Sequence, residues 1–126
     1  MTIEVRITSE PLRLEPTVIE DCGAVARFDG LVRGTENGEV IRGLHYEAYL
    51  PMAERLIHSI LVDLADKHPF ALARVHHRTG FVPVGEAAIL IDVHARHRAE
   101  AFLVLQKFMD LLKQEVPIWK TKPLQP

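Results

Sequence analysis

Ala87–Glu115, AAILIDVHARHRAEAFLVLQKFMDLLKQE, carries a strand, a basic turn and a helix without interruption. Ala87 to His94 is a short apolar run of strand length. From Arg98 to Glu115, Ala101, Phe102, Leu105, Phe108, Met109 and Leu112 recur at helical spacing and predict one buried face. Pro117 ends that helix. The stretch after it, PIWKTKPLQP, has three prolines and reads as an irregular tail. Upstream, Leu72 to Thr79 predicts another strand, and the Gly and Pro of TGFVPVGE predict a loop joining it to Ala87. Further upstream, Met52, Leu56, Ile57, Ile60, Leu61 and Leu64 mark a second helix, with Pro51 suited to its first position and Pro69 beyond its end.

The first half is read from different signals. Ile3, Val5 and Ile7 alternate with Glu4 and Arg6, the pattern of a half-buried strand. Pro11 and Pro16 punctuate an irregular region, and Ala24 to Arg33 is β-prone. GTENG, Gly34 to Gly38, places Asn-Gly between apolar stretches, and both residues tolerate positive φ. A hairpin is therefore expected, its return strand running from Glu39 to Tyr49. Strands, helix, strands, helix make an α+β domain with a mostly antiparallel sheet and two main helices. A ferredoxin-like module has a similar order.

The chain has 126 residues, which predicts one domain over positions 1–126. Its 48% hydrophobic and 25% charged residues are the balance of a soluble globular protein. Fifteen Lys+Arg against seventeen Asp+Glu, a net −2, exclude a general nucleic-acid or membrane-surface binder. No apolar run approaches the roughly 20 residues of a membrane span. The N-terminus lacks the apolar region of a secretory signal. Cys22 is the single cysteine, so an internal disulfide and thiolate zinc sites are excluded, and a cytoplasmic location is expected.

His94, Arg96, His97 and Arg98 form a basic cluster where a strand hands over to a helix. Free N–H groups at a helix start favour anions, so a phosphate or carboxylate ligand fits there. A zinc site on His94 and His97 fits less well, because Arg96 and Arg98 would repel a cation. His76 and His77 are adjacent in a strand and point to opposite faces. Three of the five lysines, Lys113, Lys120 and Lys122, fall in the last fourteen residues. Lys113 stands where a cation complements a helix C-terminus. Lys120 follows Trp119, an aromatic able to anchor the tail against the body and hold the amine in place. A lysine in a partly desolvated basic pocket can act as acid, base or nucleophile. Arg33 ends a strand just before the Asn-Gly turn. Glu47 and Glu86 read as structural. The residues alone give a basic anion pocket with lysines, and neither a metal nor another cofactor.

Five runs together resemble the catalytic (large) subunit family of molybdopterin synthase. They are GAVARFDGLVRG (Gly23 to Gly34), GLHYEAYLPMAE (Gly43 to Glu54), HHRTGFVPVGE (His76 to Glu86), HARHRAEAF (His94 to Phe102) and DLLKQEVPIWK (Asp110 to Lys120). The combination of YEAY-x-x-MAE, H-R-x-G-x-x-x-x-G-E, HR-x-x-AF and LK-x-x-x-P-I/F-W-K carries the specificity.

The resemblance implies an α/β-hammerhead-type domain with additional strands. It implies a homodimer that binds a small ubiquitin-like sulfur-carrier subunit at each end, giving a heterotetramer. The carrier's C-terminal Gly-Gly thiocarboxylate would deliver two sulfurs to cyclic pyranopterin monophosphate, making the dithiolene of molybdopterin. Residue by residue, it implies a substrate contact at Arg33, with Leu31 and Val32 contributing through backbone and shape. It places the family's His-Arg pair on His97 and Arg98, and the catalytic lysines on Lys113 and Lys120. Thr121 and Lys122 complete the implied substrate-binding stretch. On this pattern Arg33, His97 and Arg98 hold the phosphate, while the lysines orient the thiocarboxylate and assist proton transfer. The chain departs from the pattern with GTEN after Arg33, where relatives carry an Asp-His-Asn-like run, and with Lys122, where they often carry an acid. The competing reading is a non-catalytic α+β anion-binding or regulatory module. A histidine-metal hydrolase is a third.

Overall fold

A computed structural model describes residues 1–121. In chain order its elements are β1 (Thr2–Thr8), β2 (Ala24–Leu31), β3 (Thr35–Glu36), β4 (Glu39–Val40), β5 (Gly43–Ala48), α1 (Met52–Lys67), β6 (Leu72–Arg78), β7 (Gly80–Pro83), β8 (Ala87–Ala95), α2 (Arg98–Glu115) and β9 (Ile118–Lys120). The class is α+β, with two helices and mostly antiparallel pairing.

The main sheet has the order β1-β6-β8-β2, and only β1 and β6 run parallel. Alternation along β6 and β8 sends Val75, Ile91 and Val93 to one face, where both helices cover them. From α1 come Ala53, Ile57 and Leu61; from α2 come Ala101, Val104 and Phe108. These positions fall three or four apart, one stripe per helix. Phe102, expected inside, is 63% exposed, while Val104 is fully buried. The buried set 101, 104, 105 and 108 fixes the helix phase, and Phe102 lies off that stripe.

The other face of the sheet is charged and equally buried. Arg74 grips Asp92 with Nε–Oδ1 at 2.9 Å and Nη2–Oδ2 at 2.5 Å. The Arg74 Nη1 also donates to the Glu15 carbonyl and to Thr17 Oγ1. The segment after β1 thus lies across this face, with Leu14 buried beneath it. His76 meets Glu4 there, while His77 stacks edge-on against Tyr46, so the neighbouring histidines do point apart.

A second, antiparallel sheet has the order β7-β5-β9. It closes a smaller core of Val32, Ile41, Leu44, Val82 and Ala88. Two of its strands correct the sequence reading. TGFVPVGE contains β7, an edge strand on which Pro83 is tolerated. The tail contains β9, paired with β5. The expected return strand is likewise divided. β4 pairs only with β3, whereas β5 joins the second sheet and β2 pairs with β8. The turn itself follows the sequence, with Asn37 and Gly38 at φ 52° and 81°. Pro51, joined by a cis peptide to Leu50, stands at the cap of α1, one place before its first helical residue.

Candidate anion and lysine site

β9 positions Lys120 by register. Tyr46 stands opposite Lys120, Glu47 opposite Trp119 and Ala48 opposite Ile118. Alternation puts Lys120 and Ile118 on the inner face with Tyr46 and Leu44, and Trp119 on the outer face. Trp119 is 46% exposed, so it does not pin the segment as its sequence position suggests. Backbone pairing does so instead. Thr121 donates to the His45 carbonyl through its N–H and its hydroxyl, at 2.7 and 3.1 Å, and Tyr49 N–H donates to Pro117 O at 3.0 Å.

The Lys120 Nζ lies 3.8 Å from Glu36 Oε2 on β3. The Glu36 side chain is 18% exposed and that of Lys120 51%. Burial, and then the Glu36 charge, push the Tyr46 phenol above its ordinary range. Lys113 occupies the exposed last turn of α2, and only Val116 and Pro117 separate α2 from β9.

Arg33 is exposed just past the end of β2. Its predecessor Val32 is buried, with its N–H donating to Glu86 O at 3.0 Å and its carbonyl accepting from Gly85 N–H at 2.9 Å. Leu31 is exposed. The Ile41 N–H donates to Gly34 O, folding the β3–β4 hairpin back onto this run. Glu86, read as structural, takes a hydrogen bond from Arg78 at 2.7 Å.

His97 and Arg98 stand at the opposite end of the main sheet. They line an open cleft of about 470 Å³ with Gly23, Ala24, Arg96 and Ala99. His97 is the cap residue of α2, yet its side chain makes no capping hydrogen bond, so first-turn N–H groups remain for an anion. His94 leaves the basic cluster, because it is buried with Nε2 3.0 Å from Asp92 Oδ2. The register places Ala24 opposite Ala95 and Leu31 opposite Ala87. Seven strand residues make that separation about 23 Å. α2 starts at the Ala95 end, packs along β8 and β2, and has 18 residues, about 27 Å. Its Lys113 end therefore lies towards Leu31. One copy groups Arg33, Lys113 and Lys120 at one pole, and holds His97 and Arg98 at the other.

Lys122 lies outside the described residues. A larger cleft between α1 and α2, lined by Asp63, Lys67, Lys107 and Asp110 among others, contains none of the nominated residues. Among the described residues no three His, Cys, Asp or Glu side chains are grouped to hold a metal ion, and no helix is long and apolar enough to cross a membrane. Sequence reasoning did not nominate Glu36 or Tyr46. Their relevance comes from β9 pairing with β5, a contact between residues far apart in the chain.

The family profile described as "MoaE protein" matches residues 7–115. The molybdopterin synthase catalytic subunit of Bos taurus is 42% identical over 120 residues, covering 92% of this chain and 64% of that protein. Molybdopterin synthase catalytic subunit 1 of Mycobacterium tuberculosis is 40% identical over 119 residues, covering 91% of this chain and 81% of that protein. The crystal structure of molybdopterin synthase from Staphylococcus aureus superposes with a TM-score of 0.88 at 34% identity, covering 96% of this chain and 90% of that one. The chain spans 64% of the bovine relative's length and 53% of the human one's. With the profile matched across most of its length, the chain belongs to the MoaE protein family.

Proposed function

We propose that this chain is the catalytic subunit of a molybdopterin synthase. As a sulfurtransferase it moves two sulfurs in turn from the thiocarboxylated Gly-Gly end of a small ubiquitin-like carrier to cyclic pyranopterin monophosphate. The observation that carries this reading is the lysine pole. β9 aims Lys120 inward beside Tyr46, at the end of the molecule that also holds Lys113 and Arg33. Both reactants are anionic, and that pole is where exposed cations meet a sheltered inner face. Lys113 and Lys120 orient the thiocarboxylate and move protons as its sulfur attacks the pterin side chain. Arg33 holds the substrate, with Leu31, Val32 and Thr121 shaping the wall beside it, and Arg is the better planar receptor for phosphate. Lys122 belongs to the same stretch.

His97 and Arg98 enter this reading through a second copy. A gap of about 23 Å along β2 keeps them from the lysine pole of their own chain. A homodimer brings the partner subunit's His97 and the partner subunit's Arg98 to the phosphate. β2 is one of the two edge strands of the main sheet, and it exposes Val25, Phe28 and Leu31 while α2 exposes Phe102, an apolar surface suited to a second copy. The assembly is then a homodimer with a carrier at each end, acting in the cytoplasm, each chain folding as a single domain over residues 1–126.

The test mixes purified protein, thiocarboxylated carrier and cyclic pyranopterin monophosphate, and assays molybdopterin. Product is expected. Folded protein that binds the anion and gives no product with a competent carrier is an anion-binding module instead.

A further inference from the structure

We propose that Glu36 is a positioning residue for Lys120: its carboxylate holds the ammonium on the inner face of the second sheet and yields that contact to the incoming anionic reactant. The inference rests on the sulfur-transfer reading and deepens it. Exposed lysine–carboxylate pairs commonly contribute nothing measurable. This pair differs in who is anchored. Glu36 is the sunken partner, at 18% exposure against 51% for Lys120, and while the hairpin is closed its pairing sets where the carboxylate stands. Asn37 and Gly38, both at positive φ, set the tight turn that pairs Glu36 with Glu39.

The length of the contact matters as much. At 3.8 Å, Nζ and Oε2 attract as charges without forming a hydrogen bond. A thiocarboxylate that accepts a true hydrogen bond from Lys120 outcompetes such a partner. The Glu36 field also reaches across the inner face, since it is felt at the Tyr46 phenol. Glu36 therefore keeps Lys120 aimed inward when the site is empty, and opposes anion binding while it does so.

Two consequences separate this role from a merely structural one. Glu36→Gln removes a competitor and a guide together. The KM for thiocarboxylated carrier falls several-fold, and kcat falls several-fold as well. Glu36→Asp keeps the charge and holds KM near that of the unmodified protein. The second readout needs no activity. With the protein alone, acylation of Lys120 by acetic anhydride, measured by peptide mass spectrometry against Lys113 as internal reference, rises several-fold in Glu36→Gln and little in Glu36→Asp. If the unmodified protein makes no molybdopterin, the functional reading fails while the labelling ratio still decides the contact. A labelling ratio unchanged by Glu36→Gln overturns the proposal, and so does a changed ratio with kcat and KM both unmoved.

Discussion

The main sheet and the second sheet treat charge in opposite ways. On the main sheet Arg74 and Asp92 are nearly sealed from solvent, joined by two hydrogen bonds, with His94 completing the carboxylate's partners. On the second sheet Lys120 is half exposed and rests on one contact of 3.8 Å, and Arg33, in the link from β2 to the hairpin, is exposed to solvent. A buried charge survives only with complete partners, so it is committed to the fold. A loosely partnered charge at a surface can exchange its partner for a ligand. The contrast separates residues that hold the molecule together from residues available for chemistry, and mutation can test that boundary.

The largest expected effect is on the main sheet. Asp92→Ala leaves Nε and Nη2 of Arg74 and Nε2 of His94 buried without their acceptor, and urea unfolding should show a loss of about 3–5 kcal/mol. The same pair sets the acid limit. Burial alone would raise the Asp92 carboxyl, but hydrogen bonds and charge from Arg74 and His94 hold it below its ordinary 3.8. A depressed folded-state value gives stability that is present above 3.8 and lost as pH falls through that lower value. Unfolding monitored below pH 3.8 should therefore be steeper for the unmodified protein than for a folded Asp92→Asn variant. On the second sheet, Lys120→Ala should slow single-turnover sulfur transfer about 100-fold or more with the melting temperature unchanged. Lys120→Arg should rescue little, since arginine keeps its charge but does not give up its proton. A melting temperature that collapses in Lys120→Ala would erase the contrast. Arg33→Ala should weaken substrate binding by about 1.5–3 kcal/mol, measured by calorimetry, again without unfolding. The smallest effect belongs to His77, which touches both regions. Burial lowers its value from 6.5, against a weaker opposing hydrogen bond to Arg78 O. The unfolded chain then takes up the proton first, so stability falls as pH drops below 6.5. His77→Phe should flatten that slope in thermal melts at graded pH.

How far the sequence carries follows the same division. The long elements of the main sheet and both helices announce themselves through period, as with Ile57, Ile60, Leu61 and Leu64 in α1. The Asn37-Gly38 tip is legible because only a few residue types accept two successive positive φ values. β7 and β9 are not legible. Each is short, β7 ending on Pro83 and β9 following Pro117, and each is a strand only because β5 offers it a partner. Phe102 misleads because a helical stripe has edges, and apolar character does not say which side of the edge a residue takes. For the proposed site, the scarcity of lysine and the resemblance nominate Arg33, Lys113 and Lys120. They do not nominate Glu36, since nothing local marks one acid in a turn as the neighbour of a lysine 84 positions away.

The β3–β4 hairpin has one more consequence, in time. Its ladder pairs only Thr35 with Val40 and Glu36 with Glu39, and its residues are largely solvent-facing. So short a ladder opens at little free-energy cost while β6 and β8 stay closed. Its amides should exchange with deuterium through local opening, and those of Val75 and Ile91 only through global unfolding. The arm that carries Glu36 thus runs on a faster clock than the sheet behind it, and a bound reactant that draws Lys120 away from Glu36 should be seen first as a change of exchange rate in that arm.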